Sequence, residues 1–140
     1  MDKINDYLWI SDLLKDEEYD KLPEAVDRVV NVSGYSGDNA DLWYPLKDGE
    51  NQQIRFDAAV KNTLDYIEEG DTVLIHCAAG VSRSVGVGMA VLKELEGLTL
   101  IEARDMIQDI RPIANPNEDI LLHVQNYPGG DDEELDLLKD

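Results

Sequence analysis

The sequence predicts a single α/β domain in which a mostly parallel central sheet of about four to five strands is flanked by helices. Two observations support this fold class. Short apolar, β-prone runs alternate along the chain with longer segments that repeat apolar residues at helical spacing. Parallel strands need long crossover connections, which helices usually supply. The length of 140 residues and the hydrophobic content of 43% fit one domain with a core of ordinary size.

Short runs rich in β-branched or aromatic residues predict the strands. Turn-forming residues bound most of them, as is usual for strands of a compact sheet. Pro45 lies within the third run and confines it to an edge or a terminus of the sheet, because proline cannot donate a ladder hydrogen bond. The predicted strands are residues 7–10, 26–32, 43–46 and 72–76.

Apolar residues at helical spacing, together with capping residues, predict the helices. Ser11 or Asp12 is expected to cap a short first helix. Thr99 begins a capping box for a later helix, and Asn115 followed by Pro116 is expected to cap the last one. The longer predicted helices are residues 52–69, 84–96, 99–110 and 116–124.

The charge balance is the most unusual property of the composition. The chain has 31 acidic and 12 basic residues, which gives a net charge of −19 at pH 7. A surface of this sign repels nucleic acids and anionic membranes, so neither is an expected partner. The charge indicates a halophilic source, because molar salt shortens the Debye length to about 3 Å and screens the repulsion. An ordinary acidic protein with an acidic tail is the alternative.

The expected location follows from the N-terminal residues and the cysteine content. The chain does not begin with a basic region followed by a long apolar run, and no window approaches about 18 apolar residues. Neither a secretory signal nor a membrane span is therefore expected. The single cysteine cannot form an internal disulfide, which favours a reducing compartment. We expect a cytoplasmic protein.

The segment from His76 to Ser84 contains the single cysteine, Cys77, and has an arginine, Arg83, six positions after it. It lies between the predicted strand 72–76 and the predicted helix 84–96. A helix N-terminus directs free N–H groups and the positive end of its dipole at one point, which makes it an anion site. A thiol placed there is expected to act as a thiolate. The pattern therefore predicts a reactive thiolate beneath a bound oxyanion.

Hydrolysis of a phosphate ester through a cysteine has further requirements, and this segment meets most of them. The N–H groups of residues 78–83 can surround the phosphoryl oxygens, and small side chains let the backbone bend around the anion. The planar guanidinium of Arg83 can bind two of those oxygens at once. A general acid must then come from another loop. The alternative is that Cys77 is only a small hydrophobic residue of the core.

Five stretches of the chain resemble the cysteine-based protein tyrosine phosphatases, in particular the small dual-specificity phosphatases, and two of them, residues 8–11 and 29–33, are similar to the first two strands of that family. Residues 76–84 match the family signature of His-Cys, five residues, Arg and then Ser or Thr. Residues 44–48 resemble the loop that carries the general acid, with Asp48 lying 29 positions before Cys77. Residues 111–117 resemble a recurring C-terminal stretch. The resemblance covers about residues 5 to 127 and implies a catalytic domain at 1–128 followed by an acidic tail at 129–140.

The resemblance implies a role for each candidate residue. Cys77 would be the nucleophile that becomes phosphocysteine, Arg83 would bind phosphate, and Asp48 would act as general acid and then as base. Ser84 would donate to the thiolate and help its departure. The implied phosphate-binding residues are Ala78, Ala79, Gly80, Val81, Ser82 and Arg83, the implied supporting residues are His76 and Asn115, and no cofactor or metal is implied.

Other residues are weaker candidates for these roles. Asp41 and Asp57 are the nearest rivals of Asp48 as the general acid, although Asp57 falls within a predicted helix and is expected to face away from the site. His123 lies on a polar stretch of the last helix, where we expect it to face solvent.

The expected function is that of a monomeric protein phosphatase that hydrolyses phosphotyrosine and also phosphoserine or phosphothreonine. The loop has no lysine, and the acidic surface repels polyanions, so a highly phosphorylated substrate is not favoured. One alternative is a module that binds phosphate without turnover. Another is a thiol enzyme resembling a rhodanese or an arsenate reductase, although loop-type arsenate reductases usually need further cysteines.

Overall fold

A computed structural model describes residues 1–35, 39–47 and 52–127. Its five strands form one sheet in the order β1-β2-β5-β3-β4, in which β1 is antiparallel to β2 and the other neighbouring strands are parallel. This confirms the predicted α/β class and the mostly parallel sheet. The strands are β1 at Asp2–Lys3, β2 at Leu8–Ser11, β3 at Arg28–Asn31, β4 at Leu42–Trp43 and β5 at Val73–His76.

Helices connect and cover the strands. Three of the longer predicted helices agree with the structure to within a residue or so at each end, because their apolar spacing and their terminal signals both lie in the local sequence. Gly97, for example, adopts the left-handed conformation (φ 64°) that ends the third helix. The helices are α1 at Asp16–Tyr19, α2 at Gln53–Glu68, α3 at Arg83–Glu96, α4 at Leu100–Ile110 and α5 at Glu118–Asn126.

The predicted start of α1 is wrong. Ser11 is the last residue of β2 and pairs with His76, whereas the N-cap position of α1 is Lys15. The chain does not enter a helix directly after β2, because the N–H of Leu13 donates to the carbonyl of Ala78 at 3.0 Å. A long-range contact with the segment after β5 thus takes precedence over the local capping signal.

The predicted start of α5 is also wrong, by two residues. Asn117 is the N-cap, and its side chain accepts a hydrogen bond from the N–H of Ile120 at 3.1 Å. Asn115 lies outside the helix because its own N–H donates to the carbonyl of Val81 at 2.7 Å. The residues before α5 therefore follow the loop after β5 rather than the helix axis.

Alternate residues of the strands face two separate apolar clusters. The larger cluster lies between the sheet and helices α2 to α5, and it includes Ile10, Val30 and Ile75. The smaller cluster contains Leu14, Val29 and Leu74 and lies on the other face of the sheet, beside Tyr19 of α1. This alternation is the two-residue period of a β-strand.

The central position of β5 determines where the cysteine lies. All residues of β5 are buried, and its last residue, His76, pairs with Ser11 on one side and with Asn31 on the other. The loop that follows therefore begins in the middle of the carboxyl edge of the sheet, where open α/β sheets usually bind ligands. Within the described ranges, no helix is long and apolar enough to cross a membrane.

Candidate active site

Cys77 follows the last residue of β5 and is buried. Its Sγ lies 3.2 Å from the Oγ of Ser84 and accepts a hydrogen bond from the N–H of Gly80 at 3.3 Å. Both groups can donate to a negatively charged sulfur, and the N-terminus of α3 adds the positive end of its dipole. The sulfur of Cys77 is therefore surrounded by hydrogen-bond donors at the start of α3.

The loop from Cys77 to Arg83, called the phosphate loop below, is held from outside through its carbonyl groups. A buried or partly buried carbonyl that lacks a partner is costly, so these contacts help to fix the orientation of each peptide unit. The donors come from two segments that are both distant in sequence from the loop, one before it and one after it. Leu13 N donates to Ala78 O at 3.0 Å, Arg111 Nε to Gly80 O at 2.8 Å and Asn115 N to Val81 O at 2.7 Å.

These outward bonds determine the direction of the loop amides. In a trans peptide unit the N–H points opposite to the C=O. Holding the carbonyls of residues 78, 80 and 81 outward therefore turns the N–H groups of Ala79, Val81 and Ser82 toward the inside of the loop. Successive inward N–H groups form a concave anion site, which the N-terminus of α3 completes.

Gly80 is the residue of the phosphate loop whose lack of a side chain is essential. Its φ of +66° lies in the left-handed region, which other residues seldom adopt. A Cβ atom there would also overlap the guanidinium of Arg111 and lie 2.8 Å from the backbone nitrogen of Asp12. Glycine thus allows both the bend of the loop and the close approach of its neighbours.

Arg83 is the first residue of α3, and its Nη1 donates to the carbonyl of Leu46 at 2.9 Å. Leu46 is buried, and its N–H donates to the carbonyl of Val32 at 3.1 Å, which ties it to the end of β3. The predicted phosphate-binding arginine therefore contacts the segment that leads toward Asp48. Asp48 itself lies outside the described residues, and its role stays a prediction.

The two rival aspartates are engaged elsewhere. The carboxylate of Asp41 accepts from the N–H of Val29 at 2.7 Å and pairs with Arg28. The carboxylate of Asp57 accepts from Gln53 Nε2 at 2.7 Å on the same helix, α2. Both contacts give these side chains ordinary structural functions.

The two serines of the phosphate loop region have different partners. The hydroxyl of Ser84 faces the sulfur of Cys77, and the Ser84 residue is fully buried. The hydroxyl of Ser82 instead accepts from the N–H of Asn117 at 3.0 Å, which links the loop to the N-cap of α5. Only the Ser84 side chain is therefore placed to interact with the nucleophile.

His76 is buried beneath the phosphate loop, where its Nε2 lies 2.8 Å from the hydroxyl of Tyr19. Burial lowers the pKa of His76 from 6.5 to about 4, and smaller opposing effects of the Cys77 backbone and the Asp12 carboxylate do not cancel this shift. The imidazole is therefore neutral at pH 7. It supports the end of β5 through its contact with α1.

The segment of residues 111–117 contributes to the site in ways that the sequence only partly indicated. Asn115 contacts the phosphate loop through its backbone N–H, while the residue is exposed to solvent. Arg111 belongs to the family-like stretch but had no role implied by the resemblance, and it donates to the carbonyl of Gly80 from a buried position. The arginine before a proline marked this position in the sequence. The neighbouring residues, however, did not indicate that its acceptor is the carbonyl of Gly80.

The expectation that His123 faces solvent is wrong. The residue is buried, its Nε2 accepts from the N–H of Gln52 at 2.8 Å, and its Nδ1 donates to the carbonyl of Asp119. Its ring also lies against Phe56, with 5.5 Å between the ring centroids. The local sequence did not indicate this, because the packing of α5 against α2 decides which face of α5 is covered.

The fold and the site define a class of protein in which a loop of backbone amides surrounds a buried thiol at the carboxyl edge of a parallel sheet. The family described as "Dual specificity phosphatase, catalytic domain" matches residues 12–127. The chain belongs to this family. The resemblance drawn from residues 44–48, 76–84 and 111–117 is thereby confirmed.

Individual relatives agree with this assignment. The chain is 36% identical over 84 residues to dual specificity protein phosphatase 1 of Arabidopsis thaliana, covering 57% of this chain and 40% of that protein. It is 39% identical over 84 residues to dual specificity protein phosphatase Mpk3 of Drosophila melanogaster, covering 59% of this chain and 20% of that protein. The alignments thus span two fifths or less of these relatives.

A solved structure is similar over most of the chain. The structure of Tk-PTP in its active form superposes with a TM-score of 0.77 at 25% sequence identity, covering 89% of this chain and 93% of that one. The described fold is therefore shared with a protein of about the same extent.

Proposed function

We propose that this protein hydrolyses phosphate monoesters on proteins through a phosphocysteine intermediate at Cys77. The observation that carries the proposal is the surroundings of the Cys77 sulfur. Sγ accepts from Gly80 N and lies 3.2 Å from Ser84 Oγ, inside a loop whose carbonyls at residues 78, 80 and 81 are bound outward. A phosphoryl group above this sulfur would meet N–H donors on several sides.

In the first step of the proposed reaction, the Cys77 thiolate attacks phosphorus and the bond from phosphorus to the leaving oxygen breaks. Asp48 donates a proton to that oxygen, so the alcohol or phenol leaves in neutral form. In the second step, Asp48 accepts a proton from water as the water oxygen attacks phosphorus. The sulfur leaves as a thiolate, which a hydrogen bond from Ser84 stabilises, and inorganic phosphate is released.

Arg83 would bind the equatorial oxygens of the phosphoryl group as their charge redistributes in the transition state. In the described structure its Nη1 donates to the carbonyl of Leu46. The same side chain can therefore bind the anion while it contacts the segment before Asp48. This contact would align the acid with the loop that binds phosphate.

The proposed substrates are phosphotyrosine together with phosphoserine or phosphothreonine in proteins. The family to which the chain belongs supports dual specificity. The side chains at positions 78, 79, 81 and 82 are Ala, Ala, Val and Ser, and none of them is charged. Arg83 is therefore the one cationic side chain that this loop provides for binding a phosphoryl group. A net charge of −19 further disfavours substrates with many phosphates.

The alternative functions are less well supported. A module that binds phosphate without turnover would not need both Cys77 and Arg83, and this chain has both. A rhodanese-like or arsenate-reductase-like activity does not fit the family to which the chain belongs. Neither alternative requires an aspartate at position 48.

The test is hydrolysis of p-nitrophenyl phosphate and of an alkyl phosphate. Replacing Cys77 with Ser should reduce turnover by at least about a thousandfold, as for other catalytic nucleophiles. Asp48→Asn should lower kcat strongly for the alkyl phosphate, whose leaving group needs a proton, and less for p-nitrophenyl phosphate. Asp57→Asn is the matched control. A wild-type protein that transfers sulfur from thiosulfate but releases no phosphate at any salt concentration would refute the proposal.

We further propose that the protein works in a reducing, cytoplasmic compartment of a halophilic source. The single cysteine is the proposed nucleophile, and oxidation would inactivate it. The excess of acidic residues supports a high-salt environment, where the repulsion among them is screened.

A further inference from the structure

The guanidinium of Arg111 is buried next to the phosphate loop, and two of its nitrogens have separate partners. Nε donates to the carbonyl of Gly80 at 2.8 Å. Nη1 forms a salt bridge of 2.8 Å with Oδ2 of Asp2, and the Arg111 side chain is only 8% exposed. Arg111 follows the last residue of α4, while Asp2 lies in β1, so the contact joins three distant parts of the chain.

The bond to Gly80 controls a peptide unit of the anion site. Because the Gly80 carbonyl is held outward, the N–H of Val81 on the same peptide unit points inward. Glycine at φ +66° has access to other backbone conformations, so this peptide unit could otherwise rotate. Rotation would replace an N–H donor with a carbonyl oxygen, which repels an anion. The bond from Arg111 opposes that rotation.

Asp2 makes the bond from Arg111 more rigid. A buried guanidinium without a counter-charge is costly, and its planar fork can be oriented by holding two nitrogens at once. Asp2 supplies both the charge and the second contact point from the edge strand β1, where it pairs with Ile10 of β2. The carboxylate therefore fixes the plane in which Nε meets Gly80.

We infer that Asp2 and Arg111 form a positioning pair that holds the phosphate loop in its anion-binding conformation. Arg111 acts through the carbonyl of Gly80, whereas Arg83 is the arginine proposed to bind the phosphoryl group directly. The inference rests on the proposed function only in taking the bound anion to be a phosphoryl group. The inference means that strand β1, through Asp2, contributes to the affinity for substrate.

The first experiment measures binding of inorganic phosphate by calorimetry to the full chain, which needs no turnover. Arg111→Met should weaken phosphate binding by about tenfold, in line with the loss of one hydrogen bond from a charged group. Arg104→Met is the matched control, because Arg104 lies on α4, pairs with the exposed Asp105 and carries the same charge. The control should change phosphate affinity by less than about twofold.

The second experiment separates positioning from general destabilisation. In wild-type protein and in Arg104→Met, added phosphate should shift the amide resonance of Val81 in the ¹⁵N–¹H spectrum. In Arg111→Met this shift should be reduced, while the resonances of Leu74 and Val30 in the sheet stay unchanged. A merely structural function of Arg111 would not single out Val81.

Asp2→Asn provides an isosteric variant should Arg111→Met not fold. It should weaken phosphate binding by about three- to tenfold and reduce the same Val81 response, because the plane of the guanidinium is no longer fixed. Folded variants that bind phosphate within twofold of wild type and keep the Val81 response would overturn the inference. If wild-type protein binds phosphate but does not hydrolyse esters, the proposed function fails while the inference stands.

Discussion

Among individual residues, the two serines of the phosphate loop region provide the sharpest comparison. Ser84 Oγ lies 3.2 Å from the sulfur of Cys77, whereas Ser82 Oγ accepts from the N–H of Asn117. The two hydroxyls have the same chemistry but contact different partners at the α3 N-terminus. A substitution at each position can therefore separate contact with the nucleophile from support of the loop.

Ser84→Ala should slow the second step of the reaction, because the departing thiolate loses a hydrogen bond. The expected result is a decrease of about tenfold or more in kcat, with a smaller change in kcat/KM, which reports the first step. Rapid mixing with p-nitrophenyl phosphate should show a burst of p-nitrophenol as phosphoenzyme accumulates. Ser82→Ala is the control and should show no burst. Equal losses in kcat and kcat/KM for Ser84→Ala would mean that Ser84 acts on the first step.

His76 should make stability depend on pH. Its pKa is about 4 in the folded protein, below the 6.5 of an exposed histidine, so folding favours the neutral form. The associated stability is complete above pH 6.5 and is lost as the pH falls toward 4, by up to about 3 kcal/mol. The free energy of unfolding of wild type minus that of His76→Asn should decrease over this range. An NMR titration of His76 with a midpoint near 6.5 would contradict the prediction.

Among the secondary-structure elements, α3 is the central helix, and the other three long helices pack around it. It packs against α2, α4 and α5, and its residues from Ser84 to Leu92 are buried. Gly86 lies close against α5, because a Cβ atom there would overlap Cγ2 of Ile120. At Gly88 the nearest atom to such a Cβ is the flexible end of Ile10, at 2.9 Å. The position of α5 thus depends on one glycine of α3.

Gly86→Ala should lower the free energy of unfolding by about 1–3 kcal/mol, since overpacking exceeds the gain in helix propensity. Gly88→Ala is the matched control on the same helix and should cost less, because the tip of Ile10 can move aside. Chemical denaturation of both variants measures the difference. If Gly86→Ala were as stable as wild type, α3 and α5 would have to be less closely packed than described.

For the whole molecule, the net charge is the dominant property. A charge of −19 in a chain of 140 residues destabilises the compact state through self-repulsion when salt is low. The same field repels a phosphorylated substrate. Attraction at the phosphate loop must therefore come from short-range donors, namely the inward N–H groups, the N-terminus of α3 and Arg83.

Raising the potassium chloride concentration from dilute buffer to the molar range should increase both the free energy of unfolding and kcat/KM, because screening relieves both repulsions. Denaturation and initial rates at several salt concentrations test this. Potassium sulfate at equal ionic strength separates charge screening from effects specific to one salt. Maximum stability in dilute buffer would contradict the halophilic proposal.

The residues that could be predicted from the sequence are those whose partners are near in the chain. The strand, loop and helix around Cys77 are contiguous, so their order alone indicated an anion site there. The bounds of α2, α3 and α4 follow from local spacing and capping. Asp48 was proposed from resemblance, and the described residues show only that Arg83 contacts the segment before it.

The sequence indicated only in part, through Asn115, how the phosphate loop is held. Its carbonyls accept from Leu13, Arg111 and Asn115, and the orientation of Arg111 depends on Asp2 at the other end of the chain. The burial of His123 and the true starts of α1 and α5 also follow from such contacts. A capping or spacing pattern reports interactions within a few residues, whereas these hydrogen bonds form only once β1, β2 and the helices pack around β5. Local sequence thus specified the reacting groups, and long-range packing set their geometry.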